Sequence, residues 1–486
     1  MFAGTLYDVI FLQWPRWQIE WAHNENNINI GPGVSENGVT KGGPGRRDDD
    51  EPLLIHHELA LHPPVPSGRF AKALVAFSVY TNGSKVLNTS QASDSITCIH
   101  GIRFFSLTWV IIGHTIFQAL SVVENTATEV PILLNRWTFD AISNAFLSVD
   151  SFFALSGLLV SYLSVLEMKK RGWKLNWGMF YFHRFWRLTP PYMLVIVLIL
   201  GLQQYCGSGP LWSQIQPQNK DACTNYWWTN LLYVNNLVYA RQPCLDQSWY
   251  LANDMQFYVI SPLMIIPFYF NPLLGFASCF VFLLTSMIVT GVLSIQHQWT
   301  TTMITSAMSG SFFASRRWIT TWSHLLHMVI LAERGPVALT GWLIAIATAL
   351  AALYGLRGDI GGKHPSSLGV AALYNSVARS AWAAALCWLI MACVSGWGGF
   401  VNTFLSWSPF VVLGRLTYMA YLIHMCLMNI YFQSQDTLYY VTDVNIAATF
   451  MAVLVATYGL SFIFMLGLES PMIGLEKVFL PKRRKD

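Results

Sequence analysis

Two side chains that could do chemistry lie in one stretch of otherwise uncharged residues. Arg103 and His114 lie eleven positions apart in Gly101-Ile-Arg-Phe-Phe-Ser-Leu-Thr-Trp-Val-Ile-Ile-Gly-His114. On an α-helix, eleven steps of about 100° complete roughly three turns, so both side chains share a face and lie about 16 Å apart along the axis. A histidine titrates near neutral pH and suits general-base work, whereas an arginine suits a phosphate-bearing ligand. The alternative for His114 is a structural hydrogen bond between helices.

Further charged residues lie within or beside apolar stretches. Arg184 and Arg187 are spaced i and i+3, so they share a helix face and are candidates to clamp phosphates; ordinary snorkelling at the membrane interface is the alternative. Asp150 and Asp254 are carboxylates in apolar surroundings, where an unpaired charge is costly, so we expect each to pair with an arginine or a histidine. His424 either lines the same polar cavity that His114 would face or has a packing role. His and Cys spacing gives no support for a metal site.

The composition predicts that these residues lie in a membrane. Of 486 residues, 54% are hydrophobic and 11% charged, against roughly 25% charged in a soluble domain. Uncharged stretches of spanning length recur along the chain. We predict an all-α polytopic integral membrane protein. Nine candidate spans are 100–120, 139–163, 188–204, 248–270, 273–295, 336–356, 378–398, 408–432 and 446–468.

Clusters of lysine and arginine set the predicted orientation. Basic residues between 169 and 187 and in the tail 482–485 favour cytosolic placement of both segments. The loop that holds Cys206, Cys223 and Cys244 is then lumenal or extracellular, and a disulfide is plausible there without its pairing being readable. Counting membrane crossings forward from this loop and backward from the basic tail gives the same orientation only if one more crossing is present. Trp299–Ala314 is the best candidate for it. The prediction is therefore about ten transmembrane helices.

Several segments resemble the membrane acyltransferase 3 family, in its nose resistant to fluoxetine branch. Beyond the Arg103–His114 spacing, the similar segments are Val149-Asp-Ser-Phe-Phe-Ala-Leu-Ser-Gly157, Phe182-His-Arg-Phe-Trp-Arg-Leu-Thr-Pro-Pro-Tyr192, Trp249-Tyr-Leu-Ala-Asn-Asp-Met-Gln-Phe-Tyr258, Leu413-Gly-Arg-Leu-Thr-Tyr-Met-Ala-Tyr-Leu-Ile-His424 and Glu469-Ser-Pro471. Asp254 stands where the family pattern has Glu. The lead-ins Phe77–Gly83 and Cys98–Arg103 resemble the branch specifically.

The resemblance implies transfer of an acyl group from acyl-CoA to a lipid or other small-molecule acceptor. His114 would take the acceptor's proton, Arg103 would hold phosphate or developing charge, and the motif residues Arg184, Arg187, Asp150, Asp254, Tyr258 and His424 would bind substrate. No cofactor beyond the donor substrate and no metal is implied. The alternatives are a lipid or drug transporter and a catalytically inactive membrane receptor. The membrane is predicted to be the plasma membrane or an endomembrane, and the net charge of +4 gives no reason to expect nucleic acid.

Two departures from the branch shape the predicted domains. We expect the chain to lack the signal peptide and cysteine-rich domain that usually precede the first span in the branch, and we predict residues 1–13 to be the remnant of an N-terminal span. Residues 14–93 are predicted to be a largely disordered cytosolic loop, 94–475 the acyltransferase-like domain and 476–486 a basic cytosolic tail. The segment 300–335 lacks the branch's usual entrance to a crossing, and we expect a distorted helix there to threaten activity.

Overall fold

The protein is all-α, as predicted. The computed structural model describes residues 1–18, 20–21, 68–91, 95–173, 175–240, 242–299, 335–355, 357–360 and 366–480. Within these ranges the chain forms helices and no strand, apart from an isolated bridge between Val123 and Tyr439. The predicted tenth crossing and the rest of the atypical segment 300–335 lie outside the described residues, except for the flanking residue Trp299 and Gly335.

The helices are named here in chain order. They are α1 Phe2–Asp8, α2 Arg69–Ala76, α3 Val79–Leu87, α4 Cys98–Ala119, α5 Thr126–Asn135, α6 Trp137–Ser143, α7 Phe146–Arg171, α8 Trp177–Leu202, α9 Trp212–Leu231, α10 Trp249–Phe270, α11 Pro272–Gln296, α12 Gly335–Tyr354, α13 Arg357–Ile360, α14 Leu368–Val394, α15 Gly399–Leu405, α16 Ser408–Gln433, α17 Asp443–Phe464 and α18 Ser470–Phe479. Short π-helical segments cover Val9–Gln13 and Met465–Glu469.

Within the ranges that the structure describes, seven helical stretches are long and apolar enough to cross a bilayer. They are Phe146–Arg171, Trp177–Tyr205, Pro272–Gln296, Ala338–Asp359, Leu368–Val394, Ser408–Gln433 and Asp443–Phe479. Helices α4 and α10 have 22 residues each, a length of about 33 Å that also suffices to span. Both carry ionisable groups in their first half, which lowers their hydropathy. The predicted total of about ten crossings is not confirmed.

Three predicted boundaries differ from the structure. The predicted span 139–163 is two helices, because the chain breaks after α6 and α7 begins only at Phe146. Helix α8 begins at Trp177, well before the predicted 188, so its basic residues lie on the helix itself. Part of the segment 14–93 predicted as a loop is helical, since α2 and α3 cover most of residues 69–87.

Local sequence explains where several helices start and stop. Asn176 accepts a hydrogen bond from the Met179 amide (3.1 Å), which caps α8. Asn271 does the same for the Leu273 amide (2.8 Å), and Pro272 follows at the first position of α11, where its missing N–H costs nothing. Gly172 ends α7 with a positive φ of 79°, a conformation that favours glycine.

Helices α4 and α16 pack side by side along most of their length. At one end the Thr97 and Ser406 hydroxyls are 2.7 Å apart, and at the other Gln118 Nε2 donates to Asn429 Oδ1 at 2.7 Å. Gly414 has no side chain where His100 approaches, since a Cβ there would lie 3.0 Å from His100 Nδ1. Small residues at such contacts let membrane helices approach closely. The two helices run in the same direction, so residues at matching positions along α4 and α16 contact each other from one end to the other.

The chain divides into two compact units. One contains residues 1–88 and 463–486, and the other contains residues 89–462. In the first unit the buried carboxylate of Asp8 accepts hydrogen bonds from Ser78, Thr81 and Gln13, which satisfies a charge that burial would otherwise make costly. The second unit holds every residue that the sequence predicts as a functional site.

Candidate functional site

The contact between α4 and α16 brings two histidines together. His114 Nδ1 lies 2.9 Å from His424 Nε2, and the two rings are nearly parallel, with an interplanar angle of 17°. His424 is completely buried, whereas His114 keeps partial exposure. The other ring nitrogen of His424, Nδ1, lies 2.7 Å from the Tyr421 carbonyl oxygen. The sequence predicted both histidines as site residues, and the structure places them in direct contact.

A set of aromatic and amide groups holds the α16 side of this pair. The Tyr421 hydroxyl donates to the Gln247 carbonyl oxygen, and Gln247 Nε2 donates to the Leu422 carbonyl oxygen at 3.0 Å. Tyr250 packs against Tyr421 with ring centroids 5.4 Å apart. The start of α10 is therefore fastened to α16 beside His424, which fixes the backbone that the histidine contacts.

Arg103 lies three turns from His114 on α4, toward the predicted cytosolic end. Its electrostatic neighbours are the Arg187 guanidinium on α8 and the Tyr250 hydroxyl on α10. Among the described residues, Arg103 has neither an ion pair nor a hydrogen bond to its side chain. Two guanidinium groups within electrostatic range of each other, neither paired with a carboxylate among the described residues, favour binding of an anion.

Arg184 is engaged differently from Arg187. Its guanidinium forms a salt bridge with Asp254 on α10 and donates to Ser156 Oγ at 3.2 Å. Ser156 in turn donates to Asp254 Oδ1 at 2.8 Å, and the Arg184 guanidinium carbon lies 4.4 Å from the centre of the Tyr258 ring. The structure thus joins Arg184, Asp254 and Tyr258 in one cluster that ties α7, α8 and α10 together.

Asp150 makes its recorded charge contact on another side of α7. Its carboxylate lies 4.0 Å from Arg379 on α14, and both residues are largely buried. The expected pairing of Asp150 and Asp254 with arginines is therefore seen, with different partners.

Sequence reasoning missed three polar groups around these residues. Tyr250 lies within the segment Trp249–Tyr258 that resembles the family, and Gln247 lies in the turn just before it, but no spacing or charge distinguishes either residue. Ser156 bridges Arg184 and Asp254, and it is the last serine of the segment Val149–Gly157 that resembles the family, so the pattern could have marked it. The roles of Tyr250 and Gln247 come from packing between helices, which spacing along the chain does not reveal.

The cysteine loop contains one disulfide. Cys223 and Cys244 are joined across 21 positions, and Cys206 stays outside the pair with an exposed thiol. The pairing that the sequence left open is therefore between Cys223 and Cys244.

The fold is that of a multi-pass helical membrane protein, in which His114 and His424 contact each other between two long helices. Ionisable groups among such helices are candidates for a functional site. The acyltransferase 3 model, described as an acyltransferase domain, matches residues 96–466, and the chain belongs to this family. It is thus a multi-pass membrane protein consistent with an acyltransferase.

Two curated relatives from Caenorhabditis elegans are similar to the chain. Nose resistant to fluoxetine protein 6 is 31% identical over 464 residues, which cover 85% of this chain and 55% of the relative. Regulator of hypoxia-inducible factor 1 is 22% identical over 210 residues, which cover 41% of this chain and 40% of the relative. The chain thus spans about half the length of the curated relatives it matches. No solved structure matches the chain.

Proposed function

We propose that the protein is a membrane-bound acyltransferase that moves an acyl group from acyl-CoA to a hydroxyl or amine of a lipid, sugar or other small acceptor. The observation that carries the proposal is the placement of Arg103 and His114 on one face of α4 inside a family acyltransferase domain. The membrane is proposed to be the plasma membrane or an endomembrane, and the donor is proposed to reach the site from the cytosol.

Arg103 and Arg187 are the proposed contacts for the donor's phosphates. Their like charges repel each other, and the described residues offer Arg103 no carboxylate, so an incoming phosphate would relieve that repulsion. Acyl-CoA carries its phosphates and its thioester at opposite ends of a long flexible arm. That arm suits a site in which Arg103 lies about 16 Å from His114 along the axis of α4.

His114 is the proposed general base. As the acceptor oxygen attacks the thioester carbonyl carbon, a C–O bond forms and the acceptor proton passes to the imidazole of His114. When the tetrahedral intermediate collapses, the C–S bond breaks, and the leaving thiolate takes that proton back from the imidazole. The step is balanced without a redox partner or a covalent acyl-enzyme, and His114 returns to its neutral form.

The test is acyl transfer from labelled acyl-CoA by the full chain in membranes. The native protein is compared with His114→Ala and with the control His297→Ala, which removes an exposed histidine at the end of α11. We expect His114→Ala to lower kcat by about 10²- to 10⁴-fold, the usual contribution of a general base, and the control to keep native activity. Both product acyl ester and free acid are measured.

Two results would contradict the proposal. Equal turnover by the native protein and His114→Ala would remove His114 from the reaction. Absence of turnover and hydrolysis across donors of different chain length and several acceptor classes, from correctly folded protein, would favour a lipid or drug transporter or an inactive receptor. Uptake of a labelled lipid into vesicles that contain the protein would then separate these two.

A further inference from the structure

The hydrogen bonds of His424 restrict where His114 carries its proton. We infer that His424 is a positioning residue, which holds neutral His114 in the tautomer with the proton on Nδ1 and so makes its Nε2 the basic nitrogen. The use of that tautomer rests on the proposed function, whereas the tautomer itself follows from contacts between the two rings.

His424 Nδ1 contacts a backbone carbonyl of its own helix. A peptide carbonyl oxygen only accepts hydrogen bonds, and the Tyr421 carbonyl lies 2.7 Å from His424 Nδ1. The donor in this contact must therefore be His424 Nδ1–H. The Tyr421 backbone is held in place because the hydroxyl of the same residue binds the Gln247 carbonyl and Gln247 binds the next carbonyl of α16.

The surroundings of His424 determine its charge. The side chain has no exposed surface and no carboxylate among its recorded partners, and a charged group in such surroundings is costly. His424 is therefore neutral, and a neutral imidazole carries one N–H. Because that N–H is on Nδ1, His424 Nε2 has a lone pair and accepts.

The accepting Nε2 of His424 determines which nitrogen of His114 carries the proton. Its Nδ1 lies 2.9 Å from the accepting Nε2 of His424, so His114 Nδ1 carries the donated proton. The proton of neutral His114 is thereby used, and its Nε2 holds the lone pair. After Nε2 has taken a proton from an acceptor, the same Nδ1–H···Nε2 contact stabilises the imidazolium. His424 thus orients the ring in the way that a second group orients the base in hydrolytic triads.

The first arm of the test is NMR of the full chain labelled with ¹⁵N-histidine, in membranes at a pH where histidines are neutral. The signals of His114 are assigned by their loss in His114→Asn. We expect a protonated Nδ1 and an unprotonated Nε2 in the native protein. A protonated Nε2 with an unprotonated Nδ1 would overturn the inference. This arm needs no enzymatic activity, so it separates the inference from the proposed function.

The second arm uses two substitutions of His424. Gln places an amide oxygen where Nε2 accepts, whereas Leu fills the volume without an acceptor. We expect His424→Gln to keep the native tautomer and most of kcat, and His424→Leu to lose both, with kcat reduced about 10- to 100-fold as for other orienting partners and KM for acyl-CoA unchanged. Equal losses of kcat in both variants, or an unchanged tautomer in His424→Leu, would overturn the role of the hydrogen bond.

Discussion

Arg184 and Asp254 form a salt bridge between α8 and α10 that includes a serine from a third helix. The exposed fractions of the two side chains are 18% and 9%, so both charges are largely removed from solvent. Removing one partner of a buried ion pair destabilises a protein far more than removing one partner of an exposed pair, because the remaining charge stays buried. The pair therefore contributes to the cohesion of the helix bundle on the predicted cytosolic side of the histidines, whatever substrate the site takes.

A double-mutant cycle tests this structural role. We expect Arg184→Met and Asp254→Leu each to destabilise the protein by about 3–5 kcal/mol, since each leaves one buried charge without its partner. The double variant is expected to lose much less than the sum, because both charges are gone. The measurement is thermal unfolding in detergent, and Asp254→Glu, which restores the residue of the family pattern, serves as the control that keeps the pair. Additive losses would show that the two residues act independently.

The Arg103 guanidinium is predicted to bind phosphate of the donor. Arg103→Met removes a charge-assisted hydrogen bond worth about 1.5–3 kcal/mol, so we expect KM for acyl-CoA to rise about 10- to 100-fold with a smaller change in kcat. The matched substrate is an acyl-pantetheine thioester without phosphate, for which native and variant proteins should have similar KM. A penalty of the same size for both donors would mean that Arg103 does not act through phosphate.

The residues of the site were partly predictable from the sequence. The spacing of Arg103 and His114 fixed their common face because both lie on one helix, and the cost of buried carboxylates predicted that Asp150 and Asp254 would pair with basic residues. Which arginine each would meet depends on how three or four helices pack. For His424 the sequence left a cavity-lining and a packing role open, since its contact with His114 spans 310 positions.

The limits of prediction in the fold have a similar cause. Hydrophobic runs locate the centres of membrane helices well, but Arg184 and Arg187 interrupt the apolar run of α8 without interrupting the helix, because arginine is a good helix former. The start of α8 at Trp177 therefore escaped a hydropathy reading. The short helix α6 was merged with α7 because the break between them, near Asn144, carries no proline or glycine.

Gly101 is predicted to set the distance between α4 and the short helix α15. A Cβ at this position would lie 2.4 Å from the Leu405 carbonyl oxygen and 2.8 Å from its Cα, which are backbone atoms that cannot move aside cheaply. We expect Gly101→Ala to lower stability by about 1–3 kcal/mol, the usual range for overpacking. Its thermal midpoint is compared with that of Gly459→Ala, a helical glycine whose Cβ would meet nothing within 4 Å. Equal midpoints would contradict the close contact.

The Cys223–Cys244 disulfide is expected to stabilise the loop between α8 and α10. A bridge that closes a loop of 21 positions typically contributes about 2–4 kcal/mol, mainly by restricting the unfolded chain. The double variant Cys223→Ser with Cys244→Ser should therefore unfold at a lower temperature, whereas Cys206→Ser should match the native protein. Mass spectrometry of the unreduced protein checks the pairing directly, and a bridge to Cys206 would contradict it.

Asp140 on α6 is predicted to make stability depend on pH. The residue is almost completely buried, neither carboxylate oxygen has a hydrogen-bond partner among the described residues, and the half-exposed Arg357 is 3.7 Å away. Burial raises the pKa of this carboxyl above its ordinary value, and Arg357 opposes the shift only in part. Because the pKa is raised in the folded state, the contribution of Asp140 to the free energy of unfolding is fully present below the unfolded pKa of about 3.9. That contribution is lost as pH rises through the folded-state pKa.

Replacement of Asp140 by Asn should therefore abolish that loss. We expect the thermal midpoint of Asp140→Asn to exceed that of the native protein near pH 7 and the difference to shrink as pH falls toward 4. The control is Asp443→Asn, which removes an exposed carboxylate whose surface salt bridge with Arg136 contributes little. A lower midpoint for Asp140→Asn at pH 7 would mean that attraction to Arg357 outweighs the cost of burying the carboxylate, and would make this pair a stabilising contact between α6 and α13.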